Sequence, residues 1–211
     1  LADKTDPNVA FYNPPHTIYG TLNGLCGIRV AAYLCPSDTG TIDQSTGTYQ
    51  RTRGNYMVNW GNALYDDTRA LPTGTVSPST IGPFYHLNGN RATPGVVGMQ
   101  NITDGTSNTF LIGEKHVRPN SLRGKNEDRS VFGGQNNSVR RMAGIASNGD
   151  QRILMPPEAQ SPALANTCFG GPHTGLCAFV FCDGSVKSVR TSATPQTLTA
   201  LVGRSDGLTV P

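Results

Sequence analysis

The chain has 211 residues, 25 of them Gly and 15 Pro, with charged side chains at 15% and a formal net charge of +3. That length supports one substantial core, and the low charge beside abundant turn formers describes a loop-rich, β-rich α+β protein rather than a helical or disordered one. So small a charge gives no reason to expect a nucleic-acid partner. The densest basic stretch, "KHVRPNSLRGKNEDR" at 115–129, contains acids and no aromatic on which a base could stack, so it reads as a solvated loop.

No apolar run is long enough to cross a bilayer, and no signal peptide is present. The chain starts at Leu1, so the expectation is a processed product or fragment whose targeting or anchoring segment lay upstream. The whole of 1–211 is read as a single domain, with 1–24, which contains "NPPHT", as an irregular polar surface segment. "GIRVAAYLCPSD" follows, its apolar stretch Ile28 to Leu34 too short to separate strand from short helix and ended either way by Pro36.

From Gly54, "GNYMVNWGNALYD" sets Tyr56, Val58 and Trp60 at period two, which predicts a strand. Asp66 to Gly98 is rich in Gly, Pro, Thr and Asn and predicts long surface loops. In "NITDGTSNTFLIGEKH", Asp104-Gly105 with its Thr/Ser/Asn cluster predicts a turn that launches a strand over Thr109 to Ile112. A glycine-punctuated region, 118–150, comes next. Near the C-terminus, "ATPQTLTALVG" predicts a short helix capped by Thr194, opened by Pro195, with Leu198, Leu201 and Val202 on one face, and ended by Gly203.

"LCAFVFCDGSVKSVR" is the strongest hairpin signal, with Asp183-Gly184 as a two-residue type I′ turn. That turn would set Phe181 opposite Val186 and Val180 opposite Lys187, burying Phe179, Phe181 and Val186 on one face. His173 precedes Asp183 by ten residue steps, roughly 33 Å of extended chain, so the two mark the ends of a strand and cannot share a proton or a metal. The functional alternative for His173 is a group from elsewhere in the fold or from a neighbouring subunit.

Four blocks, "LCPSD" at 34–38, "NYMVNWG" at 55–61, "ITDGTSNTFLIGE" at 102–114 and the His-x9-Asp-Gly element "HTGLCAFVFCDGSV" at 173–186, together resemble a bacterial pseudopilin-like domain of unknown function. That family is abundant in planctomycetes and is related to general-secretion and type IV pilin-like proteins. The resemblance implies a pilin-like head with an antiparallel sheet, long loop insertions and a short C-terminal helix. It further implies an upstream hydrophobic helix, absent here, through which the protein is anchored in the membrane and assembles with itself or other pilin-like subunits. The location implied is the cell surface, periplasm or extracellular space.

Catalytic and cofactor signals are lacking. His16, His86, His116 and His173 stand in no hydrolase motif, and G-x-S-x-G, H-E-x-x-H and phosphate-loop patterns are absent. The acid pairs Asp66-Asp67 and Glu127-Asp128 read as solvated turns, and "TDGTSNT" lacks the alternating acids of a calcium loop. His173, Asp183, Gly184, Asp104 and Gly105 are thus taken as structural, with no catalytic residue, no metal site and no cofactor expected. Among the five cysteines, Cys26 and Cys35 flank chain-reversing Gly27 and Pro36 and are the expected disulfide, in an oxidising location; a buried Cys35 thiol is the alternative. A second functional class, an extracellular module binding glycan or peptide, would use Trp60, Tyr65 or Tyr85 on exposed loops.

Overall fold

The computed structural model describes residues 30–38, 54–62, 82–84, 97–119, 140–146, 149–159 and 163–210. Residues 1–24, Cys26, the acid pairs, His16, His86, Tyr65 and Tyr85 lie outside the described residues. The fold is α+β and strand-rich. Strands β1 (Tyr56–Asn59), β2 (Phe110–Glu114), β3 (Arg140–Arg141), β6 (Leu176–Phe181) and β7 (Val186–Arg190) form one sheet in the order β3-β1-β2-β6-β7. Two shorter strands, β4 (Gly144–Ile145) and β5 (Gln151–Arg152), pair beside it, and one helix, α1 (Pro195–Val202), follows β7. The pairs β1–β2, β2–β6 and β6–β7 are antiparallel, as expected of the resemblance, whereas β1–β3 is parallel.

The core lies between the sheet and α1. Phe110 of β2 stacks on Phe179 of β6 with ring centroids 3.8 Å apart, and Phe181 meets Phe110 edge-on at 5.2 Å. Leu198, Leu201 and Val202 of α1 close over these rings. Each such side chain contributes about 1.5–3 kcal/mol on burial, so the aromatic strand pair and the helix face hold this cluster together. Gly113 is the close approach that allows it: a Cβ there would lie 2.4 Å from Phe179 Cε1.

Helix α1 begins and ends as its sequence dictates. Thr194 Oγ1 accepts from the N–H of Thr197 at 3.2 Å, Pro195 takes the first helical position, and the Gly203 N–H closes on the Thr199 carbonyl at 3.2 Å. Thr199 then accepts the N–H of Ile145 at 2.9 Å, which seats the helix on β4.

Two expectations are corrected. The Asp183-Gly184 turn is a three-residue loop: the Gly184 N–H bonds to the Phe181 carbonyl at 2.9 Å, and the Phe181 N–H to that of Ser185 at 2.8 Å. Gly184 takes positive φ, +84°, as does the glycine bulge that follows a type I turn in such a three-residue loop. The register therefore slips by one, Val180 facing Val186 and Phe179 facing Lys187. A one-residue slip exchanges faces. Val186 is 70% exposed, while Val189 packs toward the core and Lys187 Nζ sits 4.2 Å over the Phe181 ring.

In β1 the expected alternation is present, with Met57 and Asn59 buried and Tyr56 and Val58 half-buried. The stretch before Pro36 is neither strand nor α-helix in its described part but a 3-10 turn, Ala31–Tyr33.

A candidate metal-ligand cluster

Each of three loop or strand ends contributes one side chain to a single point. Glu114, the last residue of β2, is 1% exposed. Its Oε2 accepts the N–H of Ala178 on β6 at 2.7 Å, which fixes the carboxylate and leaves Oε1 presented outward. Gly171 makes the room, since a Cβ there would stand 2.7 Å from Glu114 Oε2. The double glycine before Pro172-His173 is thus a matter of space: at Gly170 a Cβ would stand 2.4 Å from the Met155 carbonyl oxygen.

His173, on the approach to β6, places Nε2 3.1 Å from Glu114 Oε1; its side chain is 37% exposed. Cys35 arrives from the far end of the described chain. Its N–H donates to Asn55 Oδ1 at 2.8 Å, and the Asn55 N–H donates to the Tyr33 carbonyl at 2.7 Å, so the turn 31–35 is clamped to the start of β1. Asn55 Nδ2 also donates to Asp38 Oδ2, closing the loop around Pro36. The Cys35 Sγ, buried, lies 3.5 Å from His173 Nε2. Sγ, Nε2 and the Glu114 carboxylate oxygen all fall within 4.8 Å of one another.

The surroundings are set by two further groups. The Tyr56 phenol is held above the ordinary value by burial first and then by the nearby Cys35 and Glu114. Beneath the carboxylate, the Cys177 thiol points at the Glu114 carbonyl at 3.8 Å; burial pushes that thiol well above its usual range.

What the cluster can do follows from which nitrogen is used. In a Cys-His-acid relay one ring nitrogen takes the thiol proton while the other is held by the acid. Here Sγ and Oε1 both address Nε2, so the imidazole cannot pass a proton from one to the other. One nitrogen carries one lone pair or one N–H. It satisfies one of these neighbours well, or a single ion shared by all three.

The structure brings His173 to Glu114 and Cys35, the alternative the sequence left open, and not to Asp183. The whole of β6 separates His173 from Asp183, whose Oδ1 accepts the Ser185 N–H at 2.9 Å within the hairpin turn. Asp104 and Gly105 also stand apart. Asp104 accepts the N–H groups of Asp206 and Gly207 at 2.6 and 3.0 Å, and Gly105 takes φ +97°. The Asp104 carboxylate therefore pins the segment after α1.

Cys35 carries a free thiol, and Cys26 lies outside the described residues. Trp60 is buried, with the Arg140 guanidinium 4.9 Å over its ring, which removes it as an exposed binding aromatic. Sequence reading missed Glu114 as a site residue. Its one signal was an acid closing an otherwise apolar strand, "FLIGE".

The model of the family described as "protein of unknown function (DUF1559)" matches residues 1–196. No curated protein and no solved structure matches. Among the described residues no helix is long and apolar enough to cross a membrane.

Proposed function

We propose that this chain, which belongs to the DUF1559 family, is a non-catalytic structural subunit at the cell surface, in the periplasm or outside the cell. In this reading it is the globular head of a pseudopilin-like protein that assembles with itself or with other pilin-like subunits through a hydrophobic helix encoded upstream of Leu1. One observation carries the reading. The four blocks that resemble pseudopilin-like domains pack as neighbours: 34–38 is clamped to the start of β1, 55–61 contains β1, 102–114 runs through the Asp104 turn into β2, and 173–186 forms β6 with its hairpin turn.

Together these blocks form a frame of paired strands, with the sequence 60–109 lying between β1 and β2. A head that works by assembly needs such a frame and a variable loop surface, and no relay of proton transfer. The single-nitrogen geometry at His173 suits that requirement.

The test compares the 211-residue chain with one extended upstream to include the helix. The expected outcome is a monodisperse monomer for the former by sedimentation, and membrane- or detergent-dependent assemblies displaying the head for the latter. Filaments formed readily by the 211-residue chain alone, or an extended chain that stays monomeric without detergent, would overturn the reading.

A further inference from the structure

We propose that Cys35, Glu114 and His173 form a binding site for a borderline first-row divalent cation, zinc foremost, with a fourth position open to water. This assignment is independent of the assembly role above, since it rests only on the three side chains and their supports.

Two of the three separations are those of ligands around one ion, and the third pair, sulfur and carboxylate oxygen, lies within 4.8 Å. With bonds of about 2.3 Å to sulfur and about 2.0 Å to nitrogen or oxygen, tetrahedral zinc sets S and N about 3.5 Å apart and N and O about 3.3 Å apart. The observed values are 3.5 Å for Sγ to Nε2 and 3.1 Å for Nε2 to Oε1. A hydrogen-bond network accounts for these contacts poorly, because two neighbours converge on one ring nitrogen that can serve one of them. An ion at the centre takes one lone pair from each.

Charge and chemistry agree. A thiolate and a carboxylate together balance a divalent cation, which matters where Glu114 and Cys35 are both buried. Thiolate and imidazole donors select zinc-like ions over calcium or magnesium, which take oxygen. His173 is the ligand on the solvent side, so the coordination position left by three protein ligands opens outward.

The supports are those such a site requires. Ala178 N–H holds the distal oxygen of Glu114, Asn55 holds the Cys35 backbone, and Gly171 clears the space behind the carboxylate. Groups of this kind orient ligands, and losing one typically costs about 10–100-fold in metal affinity.

The experiment uses the reduced, chelator-treated 211-residue chain. Cobalt(II) is titrated as the spectroscopic probe, then displaced by zinc with a competing chelator present. Expected are one equivalent bound, a thiolate-to-cobalt charge-transfer band, proton release on binding, and a rise in melting temperature with zinc. Cys35→Ser should abolish the band, and His173→Gln should weaken binding more than tenfold while circular dichroism shows both variants folded. Cys182→Ser, which removes a thiol elsewhere, should bind as the unaltered chain does. Glu114 is buried, so Glu114→Gln is read only alongside Gly171→Ala, which shifts the carboxylate without removing it and should also weaken binding. The assignment fails if the folded, reduced chain shows no charge-transfer band, if His173→Gln binds as tightly as the unaltered chain, or if peptide mapping of the freshly isolated protein finds Cys35 bonded to Cys26.

Discussion

Asn59 of β1 donates its side-chain N–H to the carbonyl of Val202, the last residue of α1, at 3.0 Å. The same amide reaches the Phe110 carbonyl of β2 at 2.7 Å, and its Oδ1 accepts the N–H of Gly61 at 2.9 Å. One fully buried polar side chain thus joins strand, strand and helix end. Asn59→Ala leaves two carbonyls and an N–H without partners inside the core and should cost on the order of 3 kcal/mol. Urea unfolding would show it as a lowered midpoint at unchanged slope; a loss below about 1 kcal/mol would mean that water replaces the amide.

Two glycines should fail for different reasons. At Gly184, φ is +84° and nothing lies within 4 Å of a built Cβ, so Gly184→Val strains only the backbone and should cost about 1–2 kcal/mol, with Gly184→Asn much milder. At Gly113 a methyl group meets the Phe179 ring, so Gly113→Ala should cost about 1–3 kcal/mol by overpacking. Adding Phe179→Leu should recover part of the second loss and none of the first. Calorimetry of the two double variants separates the mechanisms, and equal recovery in both would contradict this account.

Stability should carry a signature of Asp206. Its carboxyl is raised above the ordinary 3.8, by burial first and by the neighbouring Asp104 carboxylate, against the lowering bond from the Leu208 N–H. The folded state therefore holds this proton more tightly than the unfolded chain does. The stabilisation is complete below the unfolded value near 3.9 and is lost as pH rises through the raised folded value. Relative to the unaltered chain, Asp206→Asn should accordingly gain stability as pH climbs above about 4. Parallel urea midpoints for the two proteins across that range would refute it.

Three thiols should be silent in the native protein. Burial pushes Cys168 up to about 12 and Cys182 up to about 11, and Cys177 is raised well above its usual range. Only the thiolate attacks a disulfide reagent. In the folded chain at neutral pH these three should stay unlabelled by a chromogenic disulfide while the denatured chain reacts at all of them. Rapid native labelling of Cys168, located by peptide mapping, would show local opening around it.

How far these features were legible differs by element, for physical reasons. Helix α1 was readable to the residue because its cap, its proline and its terminating glycine act within a few positions of one another. The Asp183-Gly184 turn was located correctly, yet its register was not, because Asp-Gly fits both a two-residue turn and a type I turn with a glycine bulge. In β1 the period was visible, but it did not say which face is buried. Hydrophobicity argues against an interior Asn, and only the carbonyls of Phe110 and Val202, distant in sequence, make Asn59 belong there. The two-residue strands β3, β4 and β5 are too short to show any period. The cluster of Cys35, Glu114 and His173 was invisible for the same reason as Asn59. Each residue is ordinary in its own segment, and only the β1-β2-β6 adjacency brings the three together.

The strand order β3-β1-β2-β6-β7 also governs when folding can occur. Hairpin β6–β7 is local and closes quickly, but β2 finds its second neighbour only in residues 176–181, and the covering helix spans Pro195–Val202. During synthesis the earlier strands leave the ribosome before the partners that bury them exist. Until the β6–β7–α1 segment emerges, the nascent chain lacks the strand and the helix that cover β2.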